Sequence, residues 1–164
     1  MNIGALITKS LLRITLGFIF FWAFLDKLFG LGFSTPKNQS WLSGGSPTAG
    51  FLENSVKGPL AGIFHSLAGN PVVDWMFMIG LAGVGICLIL GIAIRFSSAI
   101  GMLMLLFMYL SLLLPATNPF VDEHLVYILV LFYLMLTDTG EILGFGRMWK
   151  KTPLARGFPF LSNA

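Results

Sequence analysis

Apolar residues run almost unbroken through four stretches of the chain, about residues 6–29, 72–94, 97–114 and 119–143, with polar residues gathered between and beyond them. Each stretch predicts a helix able to cross a hydrocarbon core of roughly 30 Å, for which about 20 apolar residues suffice. The third is short and is expected to stand nearly upright. The first is long for the apolar region of a signal peptide. It ends in Asp26, Lys27 and bulky side chains instead of a small-residue cleavage site, so it is read as a retained helix. Asn70-Pro71 and Asn118-Pro119 each offer an N-cap side chain followed by proline at the first helical position, and Ser97 offers a cap for the third helix. Arg95-Phe96 is then the corner between the second and third helices. The expected fold class is all-α: an integral membrane four-helix up-and-down bundle, forming one transmembrane domain over residues 1–164.

The polar stretches add orientation. Lys9, Arg13, Arg95, Arg147, Lys150, Lys151 and Arg156 fall on one side of the predicted spans, and Lys27, Lys37 and Lys57 on the other. Seven basic residues against three place both termini in the cytoplasm by the positive-inside rule, with the loop 31–71 outside. Within that loop, WLSGGSPTAGFL at 41–52 combines a glycine turn with a helix start at Ser46-Pro47. The apolar positions from Pro47 to about Leu67 predict an interfacial helix, broken or kinked at Gly58-Pro59. The tail 146–164 reads as a basic segment lying along the inner surface.

Composition narrows the class further. Of 164 residues, 56% are apolar and only 10% charged, and the mean hydropathy of +0.86 excludes an ordinary soluble domain. The lipid bilayer is therefore the first expected partner. A net charge of +3 does not indicate nucleic acid, because the basic residues are scattered through apolar sequence and not clustered with exposed aromatics. Cys87 is the single cysteine, which excludes an intrachain disulfide, a CxxC pair and a thiolate metal cage.

Ionisable residues inside apolar helices are costly and need a partner or a task. Arg13 and Lys27 are 14 positions apart, about 21 Å along a helix and within about 40° on its wheel; His124 and Asp138 share that spacing. With the first and fourth helices as antiparallel neighbours, Arg13 and Asp138 are expected to form a structural ion pair near the inner face. Lys27 then meets Glu123 or His124 near the outer one. Acids at the start of a helix also complement its N-terminal partial charge, so Asp122-Glu123-His124 reads in part as a cap, Asp122 above all. Glu123 and His124 exceed what a cap requires. With Asp26, Lys27 and Tyr127 at the same depth, they form a candidate ligand-binding or proton-exchanging site. Asp26 lies opposite Arg13 on the wheel and faces the loop or another helix.

Other features have plainer readings. His65 belongs to the surface helix. A bis-histidine haem built from His65 and His124 would require that helix to enter the bundle. Gly80, Gly83, Cys87 and Gly91 line a small-residue stripe suited to close helix packing. Gly83-x-Gly85 is no nucleotide fingerprint, since no strand precedes it. Trp22, Trp41, Trp75 and Trp149 sit where interfacial anchors are expected. No flavin, haem, iron–sulfur or metal motif is evident.

Four segments together, LLRITLGFIFFWAFLDKLFG, WLSGGSPTAGFL, LAGVGICLILGIAIRFSSAIGML and NPFVDEHLVYILVLFYLMLTDTGEILGFGR, resemble the DoxX-like membrane family. Within it the match is to the DoxD type, the small subunit of thiosulfate:quinone oxidoreductase. The resemblance covers nearly the whole chain. It implies a four-helix membrane subunit partnered with respiratory or sulfur-redox proteins and carrying a quinone site, with Arg13, Asp26, Lys27, Asp122, Glu123, His124 and Asp138 at the family's charged positions. One departure is that relatives often carry a glutamate in the second helix, where this chain has Met78-Ile79-Gly80-Leu81-Ala82-Gly83.

Two functions follow from different classes. One is a membrane subunit of a quinone-linked oxidoreductase, not catalytic alone, whose His124 or Tyr127 hydrogen-bonds a quinone and whose Glu123 or Asp26 exchanges protons. The other is a non-catalytic membrane scaffold or assembly subunit whose outer loop docks a protein partner or a second copy of the chain. A small transporter ranks below both, for want of an inverted repeat or paired broken helices.

Overall fold

A computed structural model describes residues 3–113, 115, 118, 120–137 and 139–162 of the chain. Among the described residues there is no strand. The helices are α1 (Ile3–Phe29), the short α2 (Ala49–Asn54) and α3 (Ala61–His65), α4 (Pro71–Leu90), α5 (Ile94–Ser111), α6 (Glu123–Leu136), and the short α7 (Gly146–Trp149), α8 (Pro153–Gly157) and α9 (Pro159–Ser162). α1, α4 and α5 are long and apolar enough to cross a membrane. α6 is equally apolar but has 14 residues, roughly 21 Å. Their outward faces expose Leu11, Phe18, Met76, Ile79, Phe107, Leu129 and Phe132. A soluble protein rarely tolerates so much contiguous apolar surface, whereas lipid accepts it. The chain is a multi-pass membrane protein.

One core joins the four longer helices: Leu16 and Phe20 from α1, Met78, Val84 and Leu88 from α4, Leu105 from α5, and Leu131 and Leu134 from α6. α1 and α4 approach each other closely enough to bring backbone against backbone. A Cβ added at Gly85 would stand 2.7 Å from the Phe21 backbone nitrogen, and one at Gly17 would stand 2.8 Å from Leu88 Cβ. Hydrogen in place of a side chain lets the two backbones touch. Residue numbers rise along α1 as they fall along α4, so the pair is antiparallel. The same opposition relates α4 to α5, through Gly80 with Met104 and Val84 with Gly101, and α5 to α6, where Gly101 meets Leu131 and Tyr109 reaches the Phe120 carbonyl just ahead of α6. The predicted stripe is therefore only partly a packing seam. Gly80 faces Met104, but Gly83 is exposed with nothing near it. Gly91 serves instead as the left-handed C-cap of α4, at φ +72°.

Several boundaries differ from those the sequence predicts. Asn70 caps α4 as expected, accepting from Val72 N at 2.9 Å. The corner after α4 is Gly91-Ile92-Ala93, not Arg95-Phe96, because Gly91 ends the helix and Ala93 takes a left-handed conformation at φ +46°. Ser97 consequently lies inside α5, its hydroxyl bonding back to Ala93 O at 3.2 Å. α6 begins at Glu123, not near residue 119. Asn118 spends its side-chain oxygen on a turn, accepting from Phe120 N at 3.0 Å and Val121 N at 3.1 Å, and Asp122 becomes the N-cap. It ends at Leu136, not near residue 143, where Thr137 turns extended and its hydroxyl takes up the Tyr133 carbonyl at 2.9 Å. In the loop, the stretch from Pro47 to Leu67 is divided into α2 and α3 around Gly58-Pro59. Gly58 has φ +87°, and an added Cβ would stand 2.7 Å from Leu113 O.

Candidate functional site

α6 places its functional side chains by spacing. His124, Tyr127, Leu131 and Leu134 recur at three, four and three positions, so one stripe faces the core. Tyr127 packs against that core and His124 is only 8% exposed. Asp122 is the N-cap, with one carboxylate oxygen accepting from Leu125 N at 3.3 Å. Its other oxygen lies 2.7 Å from His124 Nδ1. With Asp122 as a carboxylate, which only accepts, the proton of this contact sits on Nδ1, and Nε2 is the nitrogen the aspartate does not engage. One aspartate thus both starts the helix and orients the imidazole. Glu123 beside it is exposed.

The remaining residues expected at this depth have other contacts. Asp26 is 1% exposed, and both its oxygens are engaged by the chain that follows α1: Phe33 N at 3.1 Å, Ser34 N at 2.9 Å and Ser34 Oγ at 2.6 Å. Lys27 is half-buried, with Nζ 6.0 Å from the Phe77 ring centroid, the outer limit of a cation–π contact. Among the described residues, none of Asp26, Lys27, Glu123, His124 and Tyr127 bonds to another of the five. The imidazole's partner is Asp122.

A second buried carboxylate holds the loop as well. Asp74 Oδ1 accepts from Ser46 Oγ at 2.9 Å, Thr48 Oγ1 at 2.6 Å and Thr48 N at 3.2 Å. Asp26 and Asp74 thereby clasp the 31–71 segment from α1 and α4. Trp41 from the loop meets Trp75 edge-on at 4.6 Å, and Phe33 meets Trp22 at 5.1 Å. Lys57 N donates to Ser111 O at 3.0 Å, tying the loop to α5 as well. Asp74 is absent from the sequence-derived site, although Ser46-Pro47-Thr48 and an acid in the first turn of α4 were legible signals.

At the opposite end Arg13 is fully buried. Nη1 donates to the Leu88 carbonyl and to Ile89 O at 3.0 Å; Nη2 donates to Ile142 O at 3.3 Å and Leu143 O at 2.8 Å. A cation at the C-terminus of α4 meets that helix's partial negative charge and its unpaired carbonyls. Leu143, at φ +51°, adopts a left-handed conformation beside it. The expected partner Asp138 lies outside the described residues. His65 is exposed at the end of α3.

The head of α6 holds an imidazole in a fixed orientation near one end of the spanning helices. Among the described residues, no group of three or more His, Cys, Asp or Glu is gathered as a metal ion would need. The family model described as "TQO small subunit DoxD" matches residues 8–149. No curated protein matches the chain, and no solved structure does.

Proposed function

Because the chain belongs to the DoxD family, we propose that it is the membrane subunit of a thiosulfate:quinone oxidoreductase-like complex and binds a quinone head group where α6 begins. The observation that carries the reading is the Asp122–His124 contact at 2.7 Å. A quinone, when bound, supplies two-electron, two-proton redox chemistry, and the electrons come from a partner subunit. His124 Nε2 hydrogen-bonds a quinone oxygen and exchanges a proton with it. Asp122 holds the ring in the tautomer that leaves Nε2 available and stabilises the imidazolium. Tyr127, one turn deeper on the same stripe, is a second hydrogen-bond donor. Exposed Glu123 and the Lys27 ammonium connect the site to water, and Asp26 holds the adjoining loop in place.

The membrane arrangement belongs to the same proposal. α6 completes a four-helix up-and-down bundle with α1, α4 and α5. The termini are cytoplasmic, and α2 and α3 rest on the outer surface. In a Cys87→Ser background, an impermeant thiol reagent applied to intact cells labels a cysteine at Ser43 and spares one at Gly157; the reverse pattern overturns the orientation.

The functional test is extraction of the native complex with its lipids. Co-purified quinone in the unmodified protein, lost in a folded His124→Gln variant together with quinone-linked turnover, supports the site. Unchanged quinone content and turnover in that variant refute it. The alternative of a scaffold that docks a partner draws on the doubly clasped loop, which holds Phe33 and Leu42 exposed in a fixed frame. It predicts loss of the partner, with no quinone, when the loop is altered.

A further inference from the structure

The tail after α6 is folded against the spanning helices. Trp149 Nε1 donates to Leu161 O at 2.6 Å, Thr152 Oγ1 accepts from Ala155 N at 3.3 Å, and Ala155 is fully buried. Phe160 stands edge-on to Phe96 in the first turn of α5, ring centroids 5.8 Å apart. These contacts fix the tail at the end of a span. Two sets of side chains are exposed on or beside the tail.

The first set is apolar: Met148, Leu154 and Phe158 are all more than half exposed. The second is cationic: Arg95, Lys151 and Arg156 are exposed, and among the described residues none of the three has a carboxylate within ion-pair reach. Two neighbouring cations are held differently. Glu141 accepts from Arg147 Nε at 3.2 Å and from Lys150 Nζ at 2.9 Å. Apolar side chains beside unneutralised cations, at the level where spanning helices end, complement a bilayer surface. The apolar groups reach the acyl boundary while the cations meet phosphates. A soluble acidic partner would satisfy the charge and not the position.

We propose that the folded tail is a docking surface for anionic phospholipid headgroups, and that Glu141 competes with those headgroups for Arg147 and Lys150. This is independent of any quinone site. The test titrates the full-length protein in detergent with phosphatidylglycerol or phosphatidylcholine and counts retained lipids by native mass spectrometry. Phosphatidylglycerol is retained preferentially, and the preference fades with added salt. Removing Arg95, Lys151 and Arg156 as glutamines weakens it by about fivefold per cation, from about 1 kcal/mol for each basic residue near an anionic surface. Glu141→Gln strengthens it. Equal retention of the two lipids by the unmodified protein overturns the proposal, as does an undiminished preference in the triple variant. So does a triple variant that keeps its lipids but loses a soluble protein partner. An unchanged affinity in Glu141→Gln overturns the competing role of that residue.

Discussion

Asp74 and Thr48 stand 26 positions apart in the chain, yet both the backbone N–H and the hydroxyl of Thr48 donate to one oxygen of Asp74, at 3.2 and 2.6 Å. The acid belongs to a spanning helix and the threonine to the loop, so this contact ties the two together. Asp74→Ala leaves buried donors without an acceptor, which costs about 1–3 kcal/mol for such a group. A lower melting temperature and faster proteolysis between residues 46 and 60 are expected. Resistance equal to that of the unmodified protein would show the clasp to be dispensable.

The Asp122–His124 contact fixes a tautomer, which nitrogen-15 spectra of the imidazole report directly. The unmodified protein shows the proton on Nδ1. In Asp122→Ala, which also removes the cap of α6 at a cost of about 1 kcal/mol, the proton redistributes toward Nε2. The same ring spectrum in both proteins would mean that Asp122 does not orient His124.

Arg13 donates to four carbonyls. A lysine in its place keeps the charge but offers one nitrogen, so Arg13→Lys is expected to recover only part of the stability lost in Arg13→Leu. The latter loss is of the order of 3 kcal/mol, as for a broken buried polar network. Full recovery by lysine in a thermal shift assay would mean that charge, not the planar fork, is what matters.

Gly83 and Gly85 are neighbours with opposite prospects. Gly85→Ala drives a methyl group against the Phe21 backbone, which cannot yield as a side-chain tip can, and separates α1 from α4. Gly83→Ala adds a methyl group where nothing lies near and gains up to about 1 kcal/mol of helix propensity. Melting temperatures should fall sharply for the first and hold or rise for the second.

The Lys150 ammonium, and then the Arg147 guanidinium, hold the Glu141 carboxyl below the usual carboxylate range through their hydrogen bonds. A carboxyl depressed on folding contributes stability above its unfolded pKa, and that contribution disappears as pH falls through the lower folded value. The pairs are partly exposed, so the effect is small and salt-sensitive. Glu141→Gln should therefore melt slightly below the unmodified protein at neutral pH and at the same temperature once the solution is acid enough to protonate Glu141. A gap that persists in acid would point to packing instead of charge.

What was legible in the chain was what depends on near neighbours. Asn70-Pro71 announces the start of α4 within a few residues, and Gly58-Pro59 announces a break wherever the surrounding segment lies. Asn118 shows the limit of that method. Asn118 and Asp122 are both good caps, and the choice between them turned on the side-chain oxygen of Asn118 being used in a turn. Arg13 shows a second limit: spacing pairs side chains with side chains, but its described acceptors are backbone carbonyls, which every residue carries and no pattern marks. Asp74 and Gly85 carry no mark in the sequence for a related reason. Their importance lies in what another part of the chain brings to them, Thr48 in one case and the Phe21 backbone in the other. At the candidate site the sequence singled out His124. Its orienting partner is Asp122, whose place in the sequence marks it chiefly as a cap.

The contacts of Arg13 also impose an order in time. α1 leaves the ribosome before any of these acceptors, and the carbonyls follow 75 and 76 positions later from α4, then 129 and 130 positions later from the segment beyond α6. At about 5–20 residues per second of synthesis, the last pair is translated roughly 6 to 26 seconds after Arg13 itself. Until α4 follows, snorkelling toward the headgroup region is the way for the long arginine side chain to keep its charge in water. A nascent chain halted before residue 142 has only the Leu88 and Ile89 acceptors of these four, so α1, made before all of them, settles only when the segment beyond α6 arrives.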